Sequence, residues 1–219
     1  MKTSTTTMIA ASVSAAVLAA AATARAYEPG DLVIQLMGQG LYADASGSVG
    51  QGTGWNYDSG PISANPALNI SYFLTKNIAV QTVLAVPQLN VDLDTGDKTT
   101  AATEQWVLPL SIIPQYHFFS DAMVSPYVGA GLTYAMLWEK NSKLGGADVD
   151  VENTWGGLVN VGLNIKIPQT RWTVSIDAKK WWLNPTNVDL DGDRIGNLTV
   201  NPWFFGLGVG YTFSTPPVF

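Results

Sequence analysis

The residues best equipped for chemistry are few and stand apart. His117 is the only histidine of the 219-residue chain, and there is no cysteine. Hydrolysis or acyl transfer at a histidine needs a serine or an acid held against the ring. His117 ends a stretch, 106–118, in which Leu108, Leu110, Ile112, Tyr116 and Phe118 alternate with Ser111, Gln115 and His117. It therefore belongs to the polar face of a strand, and a hydrogen-bonded core residue is the expectation. Asp189, Asp191 and Asp193 have the spacing that opens a calcium loop. That loop wants glycine at its sixth position and a bidentate glutamate at its twelfth. Arg194 and Val200 stand there instead, so a solvated acidic loop is expected. No catalytic residue, metal or cofactor is assigned, and without cysteine neither a disulfide nor a thiolate site can form.

The elements that carry these residues are more informative. Between 203 and 213, Trp203, Phe205, Leu207, Val209, Tyr211 and Phe213 alternate with Phe204, Gly206, Gly208, Gly210 and Thr212. Successive side chains of a strand point to opposite faces, so one face is continuous and apolar while the other is nearly bare. The period recurs. Trp155, Val159, Val161, Leu163 and Ile165 oppose Thr154, Gly156, Asn160, Asn164 and Lys166; Trp172, Val174, Ile176 and Ala178 oppose Ser175, Asp177 and Lys179. Similar patterns cover 65–74, 106–118 and 124–138, and less cleanly 31–43 and 78–90. The expectation is eight strands.

Composition says which solvent the apolar faces meet. Only 13% of residues are charged, about half the ~25% of soluble domains. No stretch beyond the N-terminal leader approaches the ~18 consecutive apolar residues of a spanning helix. The leader itself has Lys2, an apolar alanine-rich run over 8–22 and Ala24-Arg25-Ala26. That is a signal peptide, 1–26, cleaved after Ala26, with an uncleaved anchor as the alternative; the mature chain, 27–219, is one domain. The net charge is −6, and losing Lys2 and Arg25 makes it more negative, which argues against nucleic acid as a partner. Export with few charges and no spanning helix predicts an all-β fold: an eight-stranded antiparallel transmembrane β-barrel in the cell outer membrane. A soluble lipocalin-like barrel is the alternative. It would put the apolar set inside and expose glycine, asparagine and serine with hardly any charge.

The connections alternate in length. Segments 43–65, 90–104, 138–153 and 184–201 are long and rich in Gly, Asp, Asn and Ser, whereas Thr75-Lys76-Asn77, Ser120-Asp121-Ala122 and Pro168-Gln169-Thr170 are short. Long connections at one end and short periplasmic turns at the other are usual in outer-membrane barrels. Trp106, Trp138, Trp155, Trp172, Trp181 and Trp203 lie near strand ends, where amphipathic rings favour the headgroup level.

Several stretches in chain order resemble the outer-membrane protein W family, which includes alkane-uptake porins. They are NPALNISYFLTKNIAVQTVLAVP (65–87), PQYHFFSD (114–121), SPYVGAGLTY (125–134), TWGGLVNVGLNIKI (154–167) and NPWFFGLGVGYTF (201–213). The resemblance implies an eight-stranded barrel that admits small hydrophobic solutes, held in a hydrophobic pocket and released sideways into the outer-membrane lipids. In "AVP", Pro87 matches the family's proline on its third strand, where the wall is thought to part. Proline donates no ladder hydrogen bond and marks an edge or bulge; a strand-terminating proline is the plain alternative. Leu84, Val86 and Leu89 are expected to flank the solute path beside Pro87. The family often has a histidine a few residues on, where this chain has Gln88-Leu89-Asn90, so no histidine role carries over. Val209, Tyr211 and Phe213 resemble the signal read by the barrel-assembly machinery, although six residues, 214–219, follow where the family usually stops. A rival function is a barrel without transport whose external loops bind phage, host protein or lipopolysaccharide.

Overall fold

The computed structural model describes residues 25–42, 45–49, 55–58, 63–85, 88–94, 99–142, 149–151, 153–190 and 193–217. The leader residues 1–24 lie outside that set. The strands in chain order are β1 (Asp31–Tyr42), β2 (Ala45–Val49), β3 (Trp55–Asp58), β4 (Ser63–Phe73), β5 (Ile78–Ala85), β6 (Gln88–Asp94) and β7 (Thr99–His117). They continue with β8 (Val124–Ser142), β9 (Val149–Val151), β10 (Thr154–Lys166), β11 (Trp172–Leu183), β12 (Thr186–Leu190), β13 (Asp193–Val200) and β14 (Trp203–Ser214).

Eight of these close a barrel, as the alternation requires. Neighbours run β1, β4, β5, β7, β8, β10, β11, β14, all antiparallel, and β14 pairs back onto β1 from Asp31↔Ser214 to Tyr42↔Trp203. Paired residues lead round the wall from Ala79 through Gln115, Gly129, Asn160, Lys179, Phe204 and Leu41 to Ser63. That path begins at the short-turn end of β5 and ends at the opposite end of β4. Such a stagger tilts the strands of a closed barrel.

The faces fall as the period predicts. On β14, Trp203, Phe205, Leu207, Val209 and Phe213 are exposed on the outer surface, while Phe204 and Thr212 are buried inside. On β10, Val161 is 52% exposed and its neighbour Asn160 only 1%. Tryptophan corrects one expectation. Trp155, Trp172, Trp182 and Trp203 point outward near strand ends, but Trp181 is buried inside the barrel against Phe204, ring centroids 4.5 Å apart. Parity decides this: Trp181 shares its face with Asp177 and Lys179, and Trp182 shares the apolar one. Trp106 and Trp138 have side chains outside the described set.

The short turns are locked by their own side chains. Thr75 Oγ1 accepts from the backbone N–H of Asn77 and Ile78, at 3.3 and 2.9 Å, and Thr170 Oγ1 accepts from Trp172 N at 3.1 Å. The long connections depart from the expected loops. They hold β2, β3, β6, β9, β12 and β13, which prolong the sheet beyond the barrel in the order β7-β6-β3-β2-β13-β12-β9. Long segments must place their backbone N–H and C=O groups somewhere, and pairing with one another achieves it. Part of the acidic loop belongs to this layer: Asp189↔Arg194 and Leu190↔Asp193 are antiparallel pairs of β12 and β13, and Asp191 lies outside the described residues. The segment after Phe213 continues the β14–β1 pairing in the same register, with Thr215 N and Oγ1 donating to the Gly30 carbonyl at 3.0 and 2.6 Å.

Candidate functional site

The barrel interior is filled in layers. At the short-turn end, Tyr27, Val33, Phe73 and Ala79 form a buried cluster, with His117 against it, 4.8 Å from Phe73 between ring centroids. His117 is 1% exposed, faces Gln115 Oε1 through Nε2 at 3.2 Å, and stacks on Tyr127. It is the hydrogen-bonded interior residue that its strand position implied. Tyr127 needs the bare backbone opposite, since a Cβ on Gly162 would overlap its ring.

Above lies a polar layer. Asp177 and Lys179 form an ion pair, both buried. The same Asp177 oxygen accepts from Tyr127 Oη at 3.3 Å and Asn160 Nδ2 at 3.2 Å. Asn160 Oδ1 accepts from Gln115 Nε2 at 2.7 Å. Gln35 Nε2 donates to Ser175 Oγ at 2.7 Å and to Asn164 Oδ1 at 3.2 Å. A barrel of about eight strands leaves room only for its own side chains, and here side chains from β1, β7, β8, β10 and β11 hydrogen-bond to one another inside it. This layer bars an open aqueous channel.

Toward the long-connection end apolar side chains gather inside the barrel, with the polar Gln39, Asn65 and Thr154 buried at the same end. Met37, Leu41, Ala67, Val83, Ala85, Ile113, Leu158, Trp181 and Phe204 are buried together, with Leu183 packed on them. Three of these, Val83, Ala85 and Ile113, belong to β5 and β7, the two strands whose pairing is incomplete. Their ladder holds from Ile78↔Tyr116 to Gln81↔Ile113, and among the described residues no pair joins 82–85 to β7. Pairing along β7 resumes only at Gln88↔Trp106. The register is the same on both sides of the gap, so Ala85 and Pro109 face each other across it.

Proline explains the interruption. In an antiparallel ladder alternate residues aim their N–H toward a given neighbour. His117 N donates to Asn77 O and Phe118 N donates to Pro126 O, so the odd-numbered residues of β7 face β5. Pro109 sits at such a position and has no N–H to give. A groove of about 800 Å³ on the outer surface runs over β7 and β8, along Leu110, Ile112, Leu132 and Tyr134, and reaches β5 only at Thr82. The sequence reading passed over Pro109; strand parity counted back from His117 would have found it.

The residues expected to flank a solute path fall as follows. Leu84 is on the outer face of β5, 40% exposed. Val86 and Pro87 lie outside the described residues. Leu89 is in β6, paired with Gln105. Val209, Tyr211 and Phe213 line up on the outer face of the closing strand, opposite Leu36, Ile34 and Leu32 of β1. Trp172 touches Tyr211 edge-on at 5.1 Å.

An apolar exterior, a filled polar middle and long connections at one end define a transmembrane β-barrel of the outer-membrane type; the lipocalin-like alternative, with its apolar set inside, does not fit. The OmpW family model matches residues 28–213, and the chain belongs to the OmpW family. It is 33% identical over 186 residues to the outer-membrane protein y4mB of Sinorhizobium fredii, covering 82% of this chain and 79% of that one. To outer membrane protein AlkL of Ectopseudomonas oleovorans it is 27% identical over 198 residues, covering 85% and 76%. The crystal structure of OprG from Pseudomonas aeruginosa superposes with a TM-score of 0.69 at 18% identity, covering 88% of this chain and 100% of that one. That last likeness speaks to the fold alone. The protein is an outer-membrane barrel with short periplasmic turns and long external connections.

Proposed function

We propose that the barrel passively admits small hydrophobic molecules from outside and releases them sideways into the bilayer between β5 and β7. One observation carries this reading: the apolar layer of the lumen abuts the stretch of wall whose ladder is interrupted, through Val83, Ala85 and Ile113. A solute in that layer meets a hydrogen-bonded polar floor beneath it. Beside it are two strands that no backbone pair holds together at 82–85. An apolar molecule loses little by sliding along aliphatic side chains and gains by reaching lipid. Leu84, Val86, Pro87 and Leu89 are the residues we assign to the path. Pro87, which like Pro109 has no N–H to give to a ladder, is assigned a matching part. Val209, Tyr211 and Phe213 are assigned to recognition by the barrel-assembly machinery. No catalytic step enters this reading.

Protein in liposomes is expected to speed entry of an alkane or an aromatic ester above the rate in protein-free vesicles. Equal rates would remove the transport reading and leave the external strands as a binding surface for phage, host protein or lipopolysaccharide.

A further inference from the structure

The leader expected from the sequence ends in a charged contact with the barrel. Arg25 donates through Nη2 to Asp31 Oδ1 at 2.9 Å and to Ser214 Oγ at 3.0 Å. Asp31 is 1% exposed. Its Oδ2 accepts from Glu28 N at 2.9 Å, and its Oδ1 also accepts from Ser214 Oγ at 3.3 Å. Cleavage after Ala26 takes Arg25 away. It leaves a buried carboxylate with two neutral donors and no counter-charge, and an uncompensated buried charge is strongly destabilising.

The same cut makes a cation. Tyr27 becomes the first residue, and its nitrogen becomes an ammonium. That nitrogen is held in place, because the Tyr27 side chain is buried on Phe73 with ring centroids 4.0 Å apart, and Tyr27 N donates to the Ser120 carbonyl at 3.3 Å. The next nitrogen along the backbone, Glu28 N, is the one bonded to Asp31 Oδ2. The new ammonium thus arises one residue from the carboxylate that has lost its partner. Lys166 Nζ donates to the same Ser120 carbonyl. Its charge repels a second cation there and favours a turn of the Tyr27 nitrogen toward Asp31. We propose that the α-ammonium of Tyr27 replaces Arg25 as the counter-ion of Asp31, so that removal of the leader ties the aromatic cluster of the periplasmic mouth to β1. The proposal rests on cleavage after Ala26 and goes beyond the uptake reading: a mouth tied shut leaves solute only the sideways route.

The protein isolated from outer membranes is first weighed by mass spectrometry. A chain beginning at Tyr27 is expected; one that keeps Arg25 would overturn the exchange and leave the uptake reading untouched. The mature chain, 27–219, is then refolded in detergent with a free or an acetylated N-terminus. Acetylated Tyr27 keeps an N–H for the Ser120 carbonyl and loses only the charge. Acetylation is expected to raise the unfolding equilibrium constant in urea roughly tenfold to hundredfold, the worth of a hydrogen bond to a charged group. In Asp31→Asn the same acetylation should change nothing. No effect in the native sequence, or an equal effect in Asp31→Asn, would overturn the pairing. A crystal structure of the mature barrel answers without any variant. The Tyr27 nitrogen should lie within about 3 Å of an Asp31 oxygen, and a water or solvent cation in the place of the Arg25 guanidinium would overturn the proposal.

Discussion

Tyr27 lies almost flat on Phe73 inside the periplasmic mouth of the barrel, ring centroids 4.0 Å apart and planes 20° from parallel. Asn164 Nδ2 donates to its hydroxyl at 3.2 Å, and the Lys166 ammonium stands 4.1 Å from its ring centroid. The residue that cleavage after Ala26 would leave at the start of the chain is thus a stopper, 2% exposed. Burial pushes its hydroxyl up from the ordinary 10 to about 12, outweighing the hydrogen bonds that favour the ionised form. The neutral form is the one that seats. Stability from this contact is complete below pH 10 and lost as pH rises through about 12. Thermal unfolding in detergent across that window should show the wild type losing stability faster than Tyr27→Phe. Parallel curves would mean that Tyr27 does not titrate in its seat.

The ion pair of Asp177 and Lys179 makes a second prediction. Removing one partner of a buried pair leaves an uncompensated charge and costs about 3–5 kcal/mol. Asp177→Ala is therefore expected to lower the urea midpoint strongly, because Lys179 remains inside the barrel at 1% exposure. Asp177→Leu combined with Lys179→Met, which removes both charges, should cost much less. If the double variant is as unstable as the single, packing rather than charge governs the layer.

How far the sequence reaches can be read from particular residues. Alternation placed Val161 outside and Asn160 inside because lipid and a filled lumen demand opposite chemistry of adjacent positions, and that demand is written into each barrel strand. The same rule, applied by parity rather than by residue type, would have put Trp181 inside. The external strands β2, β3, β6, β9, β12 and β13 were not legible, since neither of their faces must be apolar and no period results. The missing ladder beside Pro109 was illegible for a different reason. A proline's effect depends on which neighbour its absent N–H would have faced, and that is a property of register between strands distant in sequence.

Val161 gives the test of the lipid-facing surface. It is 52% exposed on β10, away from both strand ends. Val161→Arg should cost roughly 2–4 kcal/mol in unfolding from lipid, as charge on the outside of a barrel does near the bilayer midplane. Val161→Leu, which keeps the face apolar, should cost almost nothing. An Arg variant that folds and resists heat as well as the Leu variant would show that this face does not meet hydrocarbon.

The seam between β5 and β7 supplies the last test. Pro109→Ala restores an N–H on the side that faces β5, opposite Ala85, and Pro87→Ala restores one at the position assigned to the path. Each new ladder bond is worth about 0.5–1.5 kcal/mol, so both variants should be at least as heat-stable as the native protein. A wall knitted together there has no exit, and uptake of an alkane should fall, most of all in the double variant. Stability and uptake must be measured on the same samples, because a loss of both would show only damaged folding. The informative pattern is opposite movement, with firmer barrels that admit less solute. If the double variant is stable and admits alkane at the native rate, solute leaves elsewhere, and the interrupted ladder at 82–85 is a structural accommodation of proline.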